Sequence, residues 1–527
     1  MRKWLIWSAG IAAVVIAGLL AAAWHFSGKV EPYVRQQTIA YLERRFKGEV
    51  TIGKFDASMP LRDPLKVLLT KGRGAHIHVK ASDILLHQHG ARAGYPLLKM
   101  KTLAFRIEAS NLFQSPTLID EVRLEGMELA LPPKGERQLT GPAASGQDAD
   151  AKAPDVRIGA VVADGARLAI LPKDPAKAPL VFDLYKLRLE YAGKDAPMRY
   201  TTKLRNAKPP GIVDAAGTFG PFDAGHPGDS PLTGDYVFRG ADLSVFKGIA
   251  GKLESSGSFQ GRLNEIVVDG KTRTPDFRLP AANHPMLLTT AFHAVVDGTN
   301  GDTLLQPVNA VLGSSRILCK GGVVRYPGEN GKTVNLDCSA NEGRLEEFLR
   351  LAVKGPQPPM KGQISFNLKI VVPPEKVPYA EKLQLSGPFR LSGAVFTNPS
   401  IQEKLDDMSR RAQGRPNDMS ITAATSDFEG KMTLKRQLLT IEDLVFSTPG
   451  AMVRLAGSYD MKADRVDFEG QVRTEARLSQ MMKSGWKRLA LKPVDPFFAK
   501  NGAGAQFDIE IKGPAGSPQF GLRKKNK

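Results

Sequence analysis

Alternation of apolar and polar residues dominates this chain. Ile364, Phe366, Leu368 and Ile370 fall on one side of an extended segment, with Ser365, Asn367 and Lys369 on the other. Val453, Leu455 and Tyr459 repeat the pattern, as do Val466, Phe468 and Val472 after a Lys462-Ala463-Asp464 turn; Phe507, Ile509 and Ile511 close the series. Period-two alternation gives each strand one apolar and one polar face. Helical periodicity is scarce. Residues 29–47 carry Val30, Val34, Thr38, Leu42 and Phe46 at four-residue spacing, with Gly48 as the stop signal. Shorter helices are predicted at 345–353, from Asn398-Pro399 to Gly414 with Ile401, Leu405, Met408 and Ala412 inward, and at 478–489. These are too few to cover all the apolar strand faces, which must therefore meet one another or an apolar ligand.

The predicted fold is mainly β: an elongated antiparallel sheet folded into a groove, with one N-terminal transmembrane helix and a few short helices. About 25 strands at about 4.8 Å spacing would make a gutter on the order of 120 Å long. The candidate lining residues are Ile364, Phe366, Leu368, Val453, Leu455, Tyr459, Val466 and Phe468. A bulge near Gly126 is expected to exchange the two faces of its strand.

Two stretches break the alternation. Residues 5–24 contain no charge, follow Arg2 and Lys3, and are flanked by Trp4, Trp7 and Trp24. Twenty apolar residues span the roughly 30 Å core of a bilayer as a helix, and the positive flank predicts a cytoplasmic N-terminus. The competing reading is a cleaved signal peptide, since Ala21-Ala22-Ala23 supplies an Ala-x-Ala pattern. Residues 131–155 carry almost no large apolar side chain and read as a disordered loop. The organisation that follows is a tip and anchor (1–27), an N-terminal helix and strands (28–130), the loop (131–155), a central β-rich region (156–380) and a C-terminal β-region (381–527).

Charge and cysteine narrow the picture. The 527 residues carry a formal net charge of +19. The excess is dispersed, and with no zinc-finger spacing or stacking aromatics it fits an anionic lipid surface better than nucleic acid. The only cysteines, Cys319 and Cys338, flank a Pro327-Gly328-Glu329-Asn330-Gly331 turn. A turn centred between Gly328 and Glu329 sets them opposite each other, within disulfide range, and an oxidising compartment would favour the bond. Two half-buried free thiols are the alternative.

Candidate chemistry is sparse. No nucleophile elbow, phosphate-binding loop, dinucleotide fingerprint or His-Glu-x-x-His motif occurs. No cofactor and no enzymatic activity are expected. Asp297–Thr303 lacks the spacing of an EF-hand loop and reads as a hairpin turn. In HIHVKASDILLHQH, a hairpin turning at Ser82-Asp83 would oppose His76 to His89 and His78 to His87, a candidate site for zinc, nickel or copper. Outward polar residues on adjacent strands explain the same residues without a metal.

Several segments together resemble the AsmA-like family of bacterial envelope proteins. They are LERRFKGEVTIGKF and NLFQSPTLIDEVRLEGMELALPPK near the N-terminus, then FRLSGAVFTNPSIQEKLDDMSRRAQG, LLTIEDLVFSTPGAMVRLAGSYDMKADRVDFEGQV and FDIEIKGPAGSPQFGL towards the C-terminus. The resemblance covers both ends. This chain is shorter than the long members, and its 131–155 loop is a departure. What the resemblance implies is a sheet folded along its length into a gutter lined with apolar residues. It also implies a single-pass inner-membrane anchor with the bulk of the chain periplasmic, and phospholipid as the partner in outer-membrane lipid homeostasis. The alternative function is a non-transporting envelope scaffold or assembly factor. The modest length implies a second envelope protein as partner, or a local role at the inner membrane.

Overall fold

The computed structural model describes residues 31–40, 42–43, 48–58, 70–71, 73–88, 96–114, 116–131, 156–172, 178–191, 197–221, 226–499 and 504–523. The predicted anchor, His89 and almost all of the 131–155 loop lie outside the described residues. Among the described residues no helix is long and apolar enough to cross a membrane. The chain is mainly β, with 24 strands among those residues. It divides into two compact units, Met1–Ala241 with Ser258–Asn264, and Asp242–Gly257 with Glu265–Lys527. Each is described by itself.

The first unit contains β1 (Gly48–Ser58), β2 (His76–Gln88), β3 (Leu98–Glu108), β4 (Thr117–Glu125), β5 (Glu128–Leu131), β6 (Val156–Ile170), β7 (Leu180–Glu190), β8 (Met198–Ala207), β9 (Pro210–Phe219) and β10 (Pro231–Asp242). Helical residues 31–40 set Val34 into a core built from β1–β4, where Ile77, Val79, Ala81, Ile84 and Leu86 are almost wholly removed from water. Two features depart from the sequence expectation. First, β4 and β5 run parallel to β6, whereas the neighbouring pairings are antiparallel. Parallel neighbours need a long return connection, and residues 132–155 are that connection.

Second, the His76–His89 hairpin does not exist. Residues 76–88 are one continuous strand, paired to β1 on one side and β3 on the other. Its buried positions switch from Ile77, Val79 and Ala81 to Ile84 and Leu86 across Asp83, whose φ is 55°. The left-handed residue shifts the alternation by one position without reversing the chain, so that both sets stay on the core side. The crease crosses the sheet: Gly53 packs against Asp83, while Gly126 (φ 58°), between β4 and β5, lies against Lys101 of β3. His78 and His87 are thus nine positions apart on one strand, about 30 Å. His76 and His78 pair with Glu108 and Arg106, not with other histidines. No group of three or more His, Cys, Asp or Glu side chains suited to a metal occurs among the described residues.

The strand β11 (Lys252–Arg262) is divided between the units. The second unit continues through β12 (Glu265–Phe277), β13 (Met286–Val296), β14 (Thr303–Leu312), β15 (Ser315–Val324), β16 (Thr333–Arg344), β17 (Met360–Val372), β18 (Gln384–Phe396), β19 (Ser426–Lys435), β20 (Leu438–Thr448), β21 (Ala451–Asp460), β22 (Arg465–Thr474), β23 (Ala505–Pro514) and β24 (Gln519–Leu522). Each strand from β12 onward pairs antiparallel with the next in the chain.

Three longer helical insertions interrupt this meander among the described residues. They are α1 (Leu345–Ala352) after β16, α2 (Pro399–Ala412) after β18, and a 3-10 turn (Leu478–Met481) followed by α3 (Gly485–Leu491) after β22. These three follow even-numbered strands of an antiparallel series, so they share one margin; the opposite margin has turns such as 461–464 and Arg436-Gln437, and a single helical turn, Tyr379–Lys382, after β17. The start of α2 follows its cap, with the Asn398 side chain accepting from Ser400 N at 3.0 Å. The helix predicted at 478–489 is instead broken. Ser479 donates its N–H and hydroxyl to Asp495, fixing the first turn, and the helix restarts at Gly485.

Glu347 of α1 ties its helix to the β14–β15 turn. Its carboxylate accepts from both the backbone N–H and the hydroxyl of Ser314 and of Ser315, at 2.5–3.2 Å. Burial pushes its pKa up, but the Ser315 and Ser314 hydrogen bonds outweigh this and hold it below the ordinary value. A depressed carboxylate stabilises the fold above its unfolded pKa of about 4.3, and that contribution is lost as pH falls through the folded value. Hydrogen exchange at Ser314 and Ser315 should accordingly show protection falling below about pH 4, beyond the intrinsic pH effect. Glu347→Gln should start from lower protection and lack this acid step; an identical step in the variant would assign it to another group.

Candidate functional site

Pairing register decides which side chains share a face, because directly opposed residues point the same way. One row runs Ile364, Leu391, Phe428, Phe446, Val453, Val472, Phe507. A second runs Ile370, Leu385, Leu434, Leu439, Tyr459, Val466. Phe366 and Leu368 alternate between these rows on β17, Leu455 lies between Val453 and Tyr459, and Phe468 faces Gly457 and Ile511. All eight candidate lining residues therefore occupy one apolar face of the second unit. The sequence did not single out Leu391, Phe389, Phe428 and Phe446; each carries the alternation signal, and only the register attaches it to this face.

The opposite face is charged. Arg390 meets Glu429 at 2.9 Å, and Lys512 lies 3.2 Å from Glu469 and 3.1 Å from Glu510. Exposed pairs of this kind add little stability. Their importance is to mark the solvent side of the sheet.

The apolar face is neither buried like a core nor open like a surface. Of the eight residues only Val453 is buried, at 6% exposure; the other seven are half-buried. A helix reaches one of them: the ring of Phe348 on α1 meets Phe366 edge-on, with centroids 5.5 Å apart. Along this face lie glycines that admit no side chain. An added Cβ at Gly387, Gly457 or Gly470 would strike the backbone carbonyl of Asn367, Asp467 or Arg454. Such contacts require the strands to bend towards the apolar side at these points.

Cys319 and Cys338 lie on the same face, in the row from Val308 to Leu368. They are directly opposed with Cα atoms 4.2 Å apart, and their sulfurs are bonded. In the first unit a comparable row runs Val161, Leu189, Tyr200, Gly217, Gly234. Tyr200 donates to the Thr233 carbonyl at 3.1 Å, and burial, with the nearby Asp235 charge, pushes its pKa up to about 12.

Among the described residues the second unit carries several hollows. Two, of about 640 and 800 Å³, have mixed linings, with Lys320, Asp337 and Lys369 in one and Arg390, Glu429, Lys431 and Glu442 in the other. A third, about 260 Å³, lies between α2, the 3-10 turn and β21–β24. No protein-family model, curated protein or solved structure matches the chain.

Proposed function

We propose that this protein is a membrane-anchored lipid-binding protein of the bacterial envelope. In this reading it is a mainly antiparallel sheet forming an apolar β-groove that shelters phospholipid acyl chains without catalysing a reaction. It serves lipid homeostasis between the inner membrane and the outer one, held by the 5–24 anchor with its bulk in the periplasm. The observation that carries the reading is the continuous half-buried apolar face of the second unit. An acyl chain laid on it gains roughly 0.8 kcal/mol per methylene removed from water. A headgroup left at the margin keeps its water, so the reading needs no dedicated polar pocket. The bend towards the apolar side at Gly387, Gly457 and Gly470 supports a groove over a flat surface, and the resemblance to AsmA-like proteins agrees with it.

A second reading, an envelope scaffold without lipid in transit, draws on the Phe348–Phe366 contact, where the protein itself fills the apolar face. Photocrosslinking of the full chain in living cells separates the two. A benzophenone amino acid at Leu455 or Phe468 should capture phosphate-labelled lipid, whereas one at Arg454 or Asp467, on the opposite face, should not. Equal capture on both faces, or none on either, would count against the groove and favour the scaffold.

A further inference from the structure

The 260 Å³ recess stands apart from the rest of the apolar face because it has a floor and a roof. Val472, Phe507 and Ile509 of the sheet form the floor, and Met408 and Ala412 of α2, with Met481 of the 3-10 turn, form the roof. Its one polar lining residue, Thr474, donates its hydroxyl to Ala476 O at 2.9 Å. The recess is open on one side and presents only apolar surface, so water within it finds no partner on the lining and an alkyl chain that enters displaces it favourably. Unbranched methionines at two positions of the roof let it adapt to a flexible guest.

The recess opens onto the lining rows: Val472 pairs with Val453, and Ile509 shares the row of Gly470 and Leu455. At the other end of the same strands, the turns carry Arg436 and Lys462, both exposed and with no ion pair among the described residues, beside Asp460 and Asp464; Lys435 and Arg465 flank them on the charged face. From Val472 to Arg465 is seven residues, about 23 Å of strand. One leaflet's acyl chain extends about 15 Å, half the roughly 30 Å hydrocarbon core, which leaves room for a headgroup.

We infer that this recess is an end-stop for a single acyl chain. The chain lies along the strands with its terminal methyl group under Met408 and Met481, and its anionic phosphate headgroup reaches the turn margin at Arg436 and Lys462. The inference rests on the lipid-groove reading and adds to it a direction: tails towards the helical margin, headgroups towards the turns.

The test uses full-length protein in cells fed fatty acids bearing a diazirine either at the methyl end or next to the carboxyl group, followed by irradiation and peptide mapping. The methyl-end probe should label the α2 and 472–482 peptides, and the carboxyl-end probe should label 459–466. Met481→Trp, which fills the recess and displaces about two methylenes, should lower methyl-end labelling there about tenfold and leave labelling at Leu455 in place. Labelled Leu455 in this variant also reports that the sheet is folded. Labelling along the rows but equal for both probes in the recess would overturn the end-stop and spare the groove. No labelling anywhere on the apolar face would overturn both.

Discussion

Gly470→Ala is expected to lower the stability of the second unit by about 3 kcal/mol, and Gly457→Ala by a similar amount. The added methyl group at Gly470 would overlap the Arg454 carbonyl and press on the Leu455 backbone, contacts that no rotamer relieves, so the strands themselves must part. For a unit of this size the thermal midpoint should fall by about 6–12 °C. Gly516→Ala is the control, because nothing lies within 4 Å of its Cβ position; it should move the midpoint hardly at all. Calorimetry of the purified full-length protein reads both. A neutral Gly470→Ala would mean that the strands are not bent towards the apolar side there, and would remove a principal support for a groove.

Asp406→Ala is expected to be nearly as damaging, at about 2–4 kcal/mol. Asp406 is buried on α2 and accepts from Ala424 N at 2.8 Å, Ala423 N at 3.2 Å and Gln402 Nε2 at 2.9 Å. Removing the carboxylate leaves all three donors without this acceptor and releases the helix from the chain that leads into β19. Amide exchange at Ala423 and Ala424 should rise well before global unfolding. Lipid labelling under Met408 should fall while labelling at Leu368, on β17, is kept. If exchange rises equally throughout β12–β24, Asp406 supports the whole unit and is not a local tether of α2.

The strands were legible because alternation is a local signal, printed in segments as short as Ile364–Ile370. The Cys319–Cys338 register was legible for the same reason, helped by a Pro-Gly turn whose centre fixes the pairing. The His76–His89 stretch shows where locality fails. A hairpin turning at Ser82-Asp83 and a straight strand with Asp83 left-handed place Ile77, Val79, Ala81, Ile84 and Leu86 on one face alike, so the pattern cannot separate them. The difference lies in β1 and β3, which flank β2 and leave no edge for it to fold back on. The parallel step into β6 was hidden because the segment that makes it, 132–155, carries no periodicity. The end-stop recess joins Met408, Val472 and Met481 from separate elements. Each had an ordinary packing role, and no spacing between them is regular.

The consecutive pairing of β12 to β24 has a consequence for how such a chain can change. No strand in this run is inserted between two earlier neighbours, so any hairpin can be added or removed at a tight turn while the halves on either side keep their partners and faces. Each event lengthens or shortens the apolar surface by about 10 Å, two strand spacings, without redesigning any residue outside it. The reach of the surface is therefore a stepwise quantity, adjustable by duplication and loss of short segments, while its chemistry stays the same.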